Sequence, residues 1–561
     1  MSLLSKDFTT SKVGLNISRS KVPMPSQLKT SFNVGQLVPI YLSEVLPGST
    51  WQMDTAFVAR MSTPIKPTMD NLFLDISYFF VPNRLVWEHW EEFQGANKTG
   101  YWTQPIEYEV PQIRVPTITS SGKTHYGWAF KSLADYFGVP IHELDDYTVR
   151  DYTISALPFR AYALIFNEFY RDENLQEPCH IYLDETTRNG AGTSIVNPGT
   201  AYVTQTELGG SLCRVCKLHD YFTSALPEPQ KGGAVELPLG ELAPVVQPVS
   251  GNLTFGQLGT ENNVYLGNQS GTPYFNNIFD LQAYGTLDPY TKLDYKSGLF
   301  ADLSSATAAN INQLRMAFAM QHVLENDARG GTRYTEILQS HFGVHSPDSR
   351  LQRPEYLGGK RVPLYINQVL QTSATSEGTT PQGNVAGFSY NADSSSAAFT
   401  KSFTEHGMII GLAVVRAEHT YQQGLSKFWS KKRRFDFYMP EFAYIGEQPI
   451  YNKEIFLQGN EEDDEAFGYQ EAWAEYRYKP SLITGEMRSS YAQSLDVWHY
   501  ADDYESLPTL GADWIQEPQS NVDRTLAVQS TVSNQFIADF AFDVKVTLPM
   551  PVHSVPGLKT L

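Results

Sequence analysis

The stretch Leu72-Phe73-Leu74-Asp75-Ile76-Ser77-Tyr78-Phe79-Phe80 constrains the fold more than any other part of the chain. Leu72, Leu74, Ile76, Tyr78 and Phe80 fall at every second position. A period of two sends successive side chains to opposite faces of an extended backbone, so these five residues share one face of a β-strand, and that face must be buried. Pro82 cannot donate to a ladder, which predicts the end of the strand there. Residues 85–93 then read as a short helix that turns Leu85, Trp87 and Trp90 inward.

Strand patterns return late in the chain. Residues 408–415 form a continuous apolar run, expected as a strand buried on both faces. Residues 536–546 alternate again. Helical periodicity is confined to the region between. One helix is expected over 155–174, with Ser155 as N-cap, Pro158 in the first turn, and Tyr162, Ile165, Phe166 and Phe169 at helical spacing. A second is expected over 307–326, from Ile311, Leu314, Phe318 and Leu324, stopped by Gly330-Gly331. Strands at both chain ends, with helices only in the excursions, predict a barrel or sandwich closed by distant segments.

Three stretches depart from this texture. Residues 1–34 carry Lys6, Lys12, Arg19, Lys21 and Lys29 against a lone Asp7, with little periodicity, and read as an extended basic arm rather than a folded element. Residues 232–300 are rich in Gly, Asn, Thr and Pro and too long for a structureless loop. They are expected to form an exposed insertion with its own β-structure, Val264-Tyr265-Leu266 being one short strand. Residues 372–398 read as a second polar loop.

A net charge of −19 disfavours a nucleic-acid binder that uses its whole surface, so any DNA contact must come from local basic patches. One such patch is the run 427–435 (KFWSKKRRF), where Lys431, Lys432, Arg433 and Arg434 can meet phosphates while the rings stack on unpaired bases. The competing reading is a solvated basic loop that pairs with acids of neighbouring subunits. The cations of residues 1–34 suit DNA for another reason, since a flexible basic tail can follow an irregular polymer. Three cysteines in 561 residues argue against a disulfide framework and for synthesis in a reducing cytosol. The first residues hold no apolar signal core, and the run 408–415 is far short of a membrane span, so no membrane insertion is expected.

Enzyme signals are weak throughout. Cys213-x-x-Cys216, followed by His219 and preceded by Cys179-His180, lacks a second ligand pair at zinc spacing and a βαβ context for redox work, so buried thiols and no metal are expected. The acidic run 461–465 and Asp502-Asp503 read as solvated loops. Glu405-His406 and Glu418-His419 have no recognisable partner set, and no nucleophile elbow, HExxH or P-loop is present. No catalytic residue and no cofactor is therefore assigned. Abundant acids and rings leave one alternative, a carbohydrate-binding or carbohydrate-active β-sandwich, which as an enzyme would need a two-carboxylate cleft.

Several long stretches resemble the gokushovirus branch of the microvirus major capsid proteins. They are residues 69–87 (MDNLFLDISYFFVPNRLVW), 157–162 (LPFRAY) with 167–173 (NEFYRDE), 219–227 (HDYFTSALP) with 229–232 (PQKG), 467–478 (FGYQEAWAEYRY), 495–500 (LDVWHY) and 549–558 (PMPVHSVPGL), in family order along nearly the whole chain. The resemblance implies a mainly β chain, an eight-stranded antiparallel jelly roll of the viral capsid type, with long insertions containing short helices and strands. Beyond the arm read over 1–34, it implies one jelly-roll domain over 35–561, whose insertion at 232–300 forms a protrusion toward the host. The implied function is structural: self-assembly into a T=1 icosahedral shell around a circular single-stranded DNA genome. Implied partners are further copies of the chain, the genome, a small basic packaging protein with other virion proteins, and a host surface receptor, carbohydrate being one candidate. The expected location is the virion, after synthesis in the host bacterial cytoplasm.

Overall fold

The computed structural model describes residues 18–96, 107–120, 123–141, 152–190, 209–233, 235, 311–365, 368–370, 385–388, 391–393 and 399–553, together with short strands between 245 and 301. The chain divides into two compact units, residues 1–229 with 327–561, and residues 230–326. The larger unit is built on β1 (Ser20–Pro23), β2 (Ser26–Phe32), β3 (Val38–Val45), β4 (Thr50–Met61), β5 (Leu72–Pro82), β6 (Glu355–Leu364), β7 (Asn391–Asp393), β8 (Phe399–Ser402), β9 (Gly407–Ala417), β10 (Glu447–Tyr451), β11 (Ala466–Glu471) and β12 (Phe536–Leu548).

Two antiparallel sheets hold its core. In one, β1 and β2 lie end to end along one side of β12, β4 pairs with the other side, and β7 and β8 lie end to end along β4. In the other the order is β6-β5-β9-β3. With each end-to-end pair taken as one position, these two sheets give eight strand positions. The first pairs with the eighth, the second with the seventh, the third with the sixth and the fourth with the fifth. This nested pairing, divided over two facing sheets, is a jelly roll.

Side chains show why the sheets close on each other. The Tyr78 ring of β5 lies 5.6 Å from Phe399 of β8, and its hydroxyl is 2.5 Å from Thr55 Oγ1 of β4. Tyr41 of β3 meets Phe542 of β12 at 5.1 Å. The alternating face of β5 is thus the one that meets the opposite sheet, as the period of two requires. Its other face is covered as well, because Phe79 packs 4.7 Å from Phe169. Strand β9 is buried from Gly407 to Val415. Strand β12 buries Phe536, Ala538, Phe540, Phe542, Val544 and Val546 in strict alternation.

Several local expectations are corrected. Residues 18–34 are not an arm: β1 and β2 cover the open backbone edge of β12. Their polar sequence concealed this, since an edge strand with a solvated face needs few apolar residues. Lys6 and Lys12 lie outside the described residues. The expected helix at 85–93 is two separate turns, Asn83–Leu85 and Trp90–Phe93, with Trp87 and Trp90 buried and Leu85 half-buried. Helix α1 (Leu157–Ile165) is capped at Ala156, one residue past Ser155, and continues as a wider π-turn, Phe166–Tyr170. Helix α2 (Ile311–Gly330) ends at the glycine pair, where Gly331 adopts φ +93°. It is followed by a helix the periodicity did not indicate, α3 (Tyr334–Phe342). A strand at Asn263–Leu266 contains the anticipated Val264-Tyr265-Leu266.

Candidate nucleic-acid interface

The basic run begins in a single helical turn, Lys427–Ser430, and passes into a 3-10 turn, Arg434–Asp436. Asp436 organises the passage: its carboxylate accepts the backbone N–H groups of Lys432 (2.7 Å) and Arg433 (2.6 Å). Those two donors, Arg433 first, hold its pKa below the usual carboxylate range. Lys432, Arg433 and Arg434 are consequently displayed on the surface. Beside them Phe428, Trp429 and Phe435 are 67%, 71% and 65% exposed. Cations and flat rings therefore alternate on one exposed strip, the arrangement a single strand can follow.

Lys431 behaves differently from its neighbours. Its ammonium lies 2.9 Å from Glu475 and 4.0 Å from the centre of the Tyr476 ring. Burial opposes its charge, but the hydrogen bonds and charges of Tyr476 and Glu475 outweigh that and raise its pKa. It is committed within the chain. Next to it a cavity of about 410 Å³ is lined by Lys427, Lys431 and Lys453 and equally by Asp436, Asp464 and Glu475. These charges compensate one another, so the exposed strip, not the cavity, offers net positive charge. At the chain start, Arg19 and Lys21 are exposed. Lys29 pairs with Asp539 at 2.7 Å, both well exposed; such pairs contribute little and exchange partners readily.

The other singled-out residues fall into two groups. Cys179, Cys213 and Cys216 are buried, whereas His180 and His219 are exposed. Cys216 donates to Gln176 Oε1 at 3.2 Å, and burial pushes its pKa up to about 12. Among the described residues, no three His, Cys, Asp or Glu side chains converge as a metal ion would require. The solvated reading of the acids is corrected at two positions. Asp463 is buried and accepts the N–H groups of Gln458 (2.9 Å) and Gly459 (2.6 Å). Asp502 is buried in an ionic network that the sequence did not disclose. Lys217 Nζ lies 3.0 Å from its Oδ2, and His419 Nδ1 lies 3.1 Å from its Oδ1. The second imidazole nitrogen is 3.2 Å from Glu517. Tyr504 and Asn521 also donate to the Asp502 carboxylate. These residues come from four separate stretches of chain, so no local spacing could have revealed them.

No described helix is long and apolar enough to cross a membrane. Comparison with known proteins is decisive about kinship. The family model described as capsid protein (F protein) matches residues 11–558. Capsid protein VP1 of Spiroplasma virus 4 is 43% identical, over 99% of this chain and 98% of its own length. Capsid protein VP1 of Bdellovibrio phage phiMH2K is 42% identical, over 97% and 96%. Capsid protein VP1 of Chlamydia phage 1 is 39% identical, also over 97% and 96%. With a two-sheet roll and kinship over nearly its full length, the chain belongs to the capsid protein (F protein) family, in its gokushovirus branch, and is a structural protein of the virion.

Proposed function

We propose that copies of this chain close into a T=1 icosahedral shell around a circular single-stranded DNA genome, in a structural role with no catalytic step. The supporting observation is the exposed aromatic surface of a chain that otherwise buries its rings well. Trp429, Tyr444, Tyr476 and Tyr478 are 71%, 99%, 55% and 49% exposed. A large apolar surface is unfavourable on an isolated subunit and belongs in contacts with partners. The genome is met by Arg19, Lys21, Lys432, Arg433 and Arg434, with Lys29 released from its surface pair and Lys6 and Lys12 extending the basic stretch toward the chain start. Counterions and a small basic packaging protein offset the net charge of −19. The insertion at 232–300 supplies the surface that meets a host receptor, carbohydrate being one candidate ligand.

Electron microscopy of the purified full-length chain tests the shell directly. Closed isometric particles are the expected result. Small monodisperse subunits under every assembly condition would refute it.

A further inference from the structure

Two features of the larger unit have complementary chemistry. The first is a knob. Tyr444 is 99% exposed and Ile445 49%, at the tip of a turn that leads from the 3-10 turn Pro440–Phe442 into β10. The base of the turn is firmly held. Trp473 Nε1 donates to the Phe442 carbonyl at 2.7 Å, and the Ala443 N–H donates to the Pro440 carbonyl at 3.2 Å. Gly446, at φ +84°, turns the chain into β10. The folded subunit gains nothing from holding a phenol ring wholly in water on so rigid a mount.

The second feature is a hole. An open cavity of about 770 Å³ is walled by Leu42, Trp90, Phe93, Leu157, Pro158 and Met408. Leu42 of β3 and Phe93 stand at its lip, each 39% exposed. Asn83 also lines it, and this residue is 4% exposed. The Asn83 Oδ1 atom is enclosed and has no hydrogen-bond partner among the described residues. An enclosed acceptor without a donor is unfavourable, so such a group calls for an explanation.

We infer that the Tyr444–Ile445 knob of one copy seats in this cavity of a second copy. A tyrosine carries the two properties the cavity asks for, an apolar body and one donor at its tip. Asn83 turns about its broad terminal torsion and accepts from the phenol hydroxyl. The same chain does not fill its own cavity, because its Tyr444 is almost fully exposed. Knob and hole lie at different places on the subunit, so the contact is head-to-tail. Repeated by a rotation, a contact of that kind closes a ring, and rings about symmetry axes are what a shell requires. The inference rests on the shell reading proposed above.

Tyr444→Ala in the full-length chain tests it, compared with the wild type prepared in parallel. The substitution is at a fully exposed site, so thermal melting of the subunit should be unchanged. Particle yield by sedimentation and electron microscopy should fall by about tenfold or more. A second variant joins Tyr444→Cys to Leu42→Cys. Particles assembled from a mixture of isotopically light and heavy copies, then oxidised, should yield peptides linked between a light and a heavy chain. Wild-type particles accompanied by an undiminished Tyr444→Ala yield would overturn the contact and leave the shell reading standing. So would particles of the double-cysteine chain without a link between copies. A wild-type chain that forms no particles would remove the shell reading, and the contact with it.

Discussion

His419 has both ring nitrogens engaged by buried carboxylates, Asp502 on one side and Glu517 on the other. Both nitrogens can donate only when the ring is charged. Burial opposes that charge, yet Glu517 and Asp502, by attraction and by hydrogen bonds, push the His419 pKa up to about 10. Burial likewise opposes the Asp502 carboxylate, and Lys217 and His419 overcome it, holding its pKa well below the usual range. The charges of Lys217, His419, Asp502 and Glu517 cancel, so the network is neutral as a whole while each member depends on the others. Asp502→Asn should therefore destabilise the subunit by about 3–5 kcal/mol, because it strands the Lys217 ammonium; urea denaturation of unassembled subunits measures this. The pH dependence follows from the same shifts. A group whose pKa is raised on folding contributes fully below its unfolded value and loses that contribution as pH rises through the folded value. For His419 the loss spans pH 6.5 to about 10. The depressed Asp502 contributes above its ordinary value of 3.8 and loses that contribution as pH falls below it. The denaturation midpoint should thus decline from pH 6.5 toward 10. His419→Gln should lower the midpoint and flatten that decline, and an unaltered slope in this variant would assign the decline to other groups.

Strands differ in how plainly they show themselves. β5, β9 and β12 are legible because each buries a whole face or both faces, and burial dictates composition. β1 and β2 are not legible. Apart from Phe32, which is buried against Phe536, what holds them is largely backbone pairing with β12, to which any non-proline residue contributes equally. The turn after β5 reads as one helix because its tryptophans fall at helical spacing, although the local hydrogen bonds divide it in two. Within β9, Gly411 has a role that periodicity cannot convey. A Cβ there would lie 2.7 Å from Tyr78 Cε1 and 2.9 Å from Tyr41 Cβ. Gly411→Ala should cost about 1–3 kcal/mol through this overpacking, visible as a lower melting temperature. For the basic elements, replacing Arg19, Lys21, Lys432, Arg433 and Arg434 by Gln should reduce the DNA content of assembled particles more than subunit stability. Equal DNA content would favour the competing reading, in which these cations pair with acids of neighbouring copies. Lys431→Gln should behave otherwise and loosen the Glu475–Tyr476 contact instead.

At the scale of the whole molecule, the nested pairing joins strands from the early and late parts of the chain, since β1 and β2 lie against β12. Contacts of such sequence separation fold slowly and leave strand edges open until late. Removal of residues 1–34 should therefore expose the β12 edge and give aggregation rather than a trimmed subunit, as size-exclusion chromatography would show. Deletion of residues 240–295 should have the opposite outcome. The larger unit has its own sheets and core, so near-ultraviolet circular dichroism of the deleted chain should still report packed aromatics, while attachment to host cells is lost. Collapse of the soluble fold would place that segment in the structural core.

The sequence by itself determined the mainly β character, the three strongest strands and the absence of a membrane-length apolar segment, because each follows from local period and composition. Its family-like stretches determined the capsid reading, which kinship across nearly the entire chain then established. Only the tertiary structure decided that residues 20–32 are sheet rather than arm, that Lys431 pairs inward while Lys432, Arg433 and Arg434 face outward, and that Asp502 is buried. The physical reason is common to all three. Edge pairing, ion pairing and burial of charge depend on which distant groups arrive at the same place, and one-dimensional spacing does not encode that.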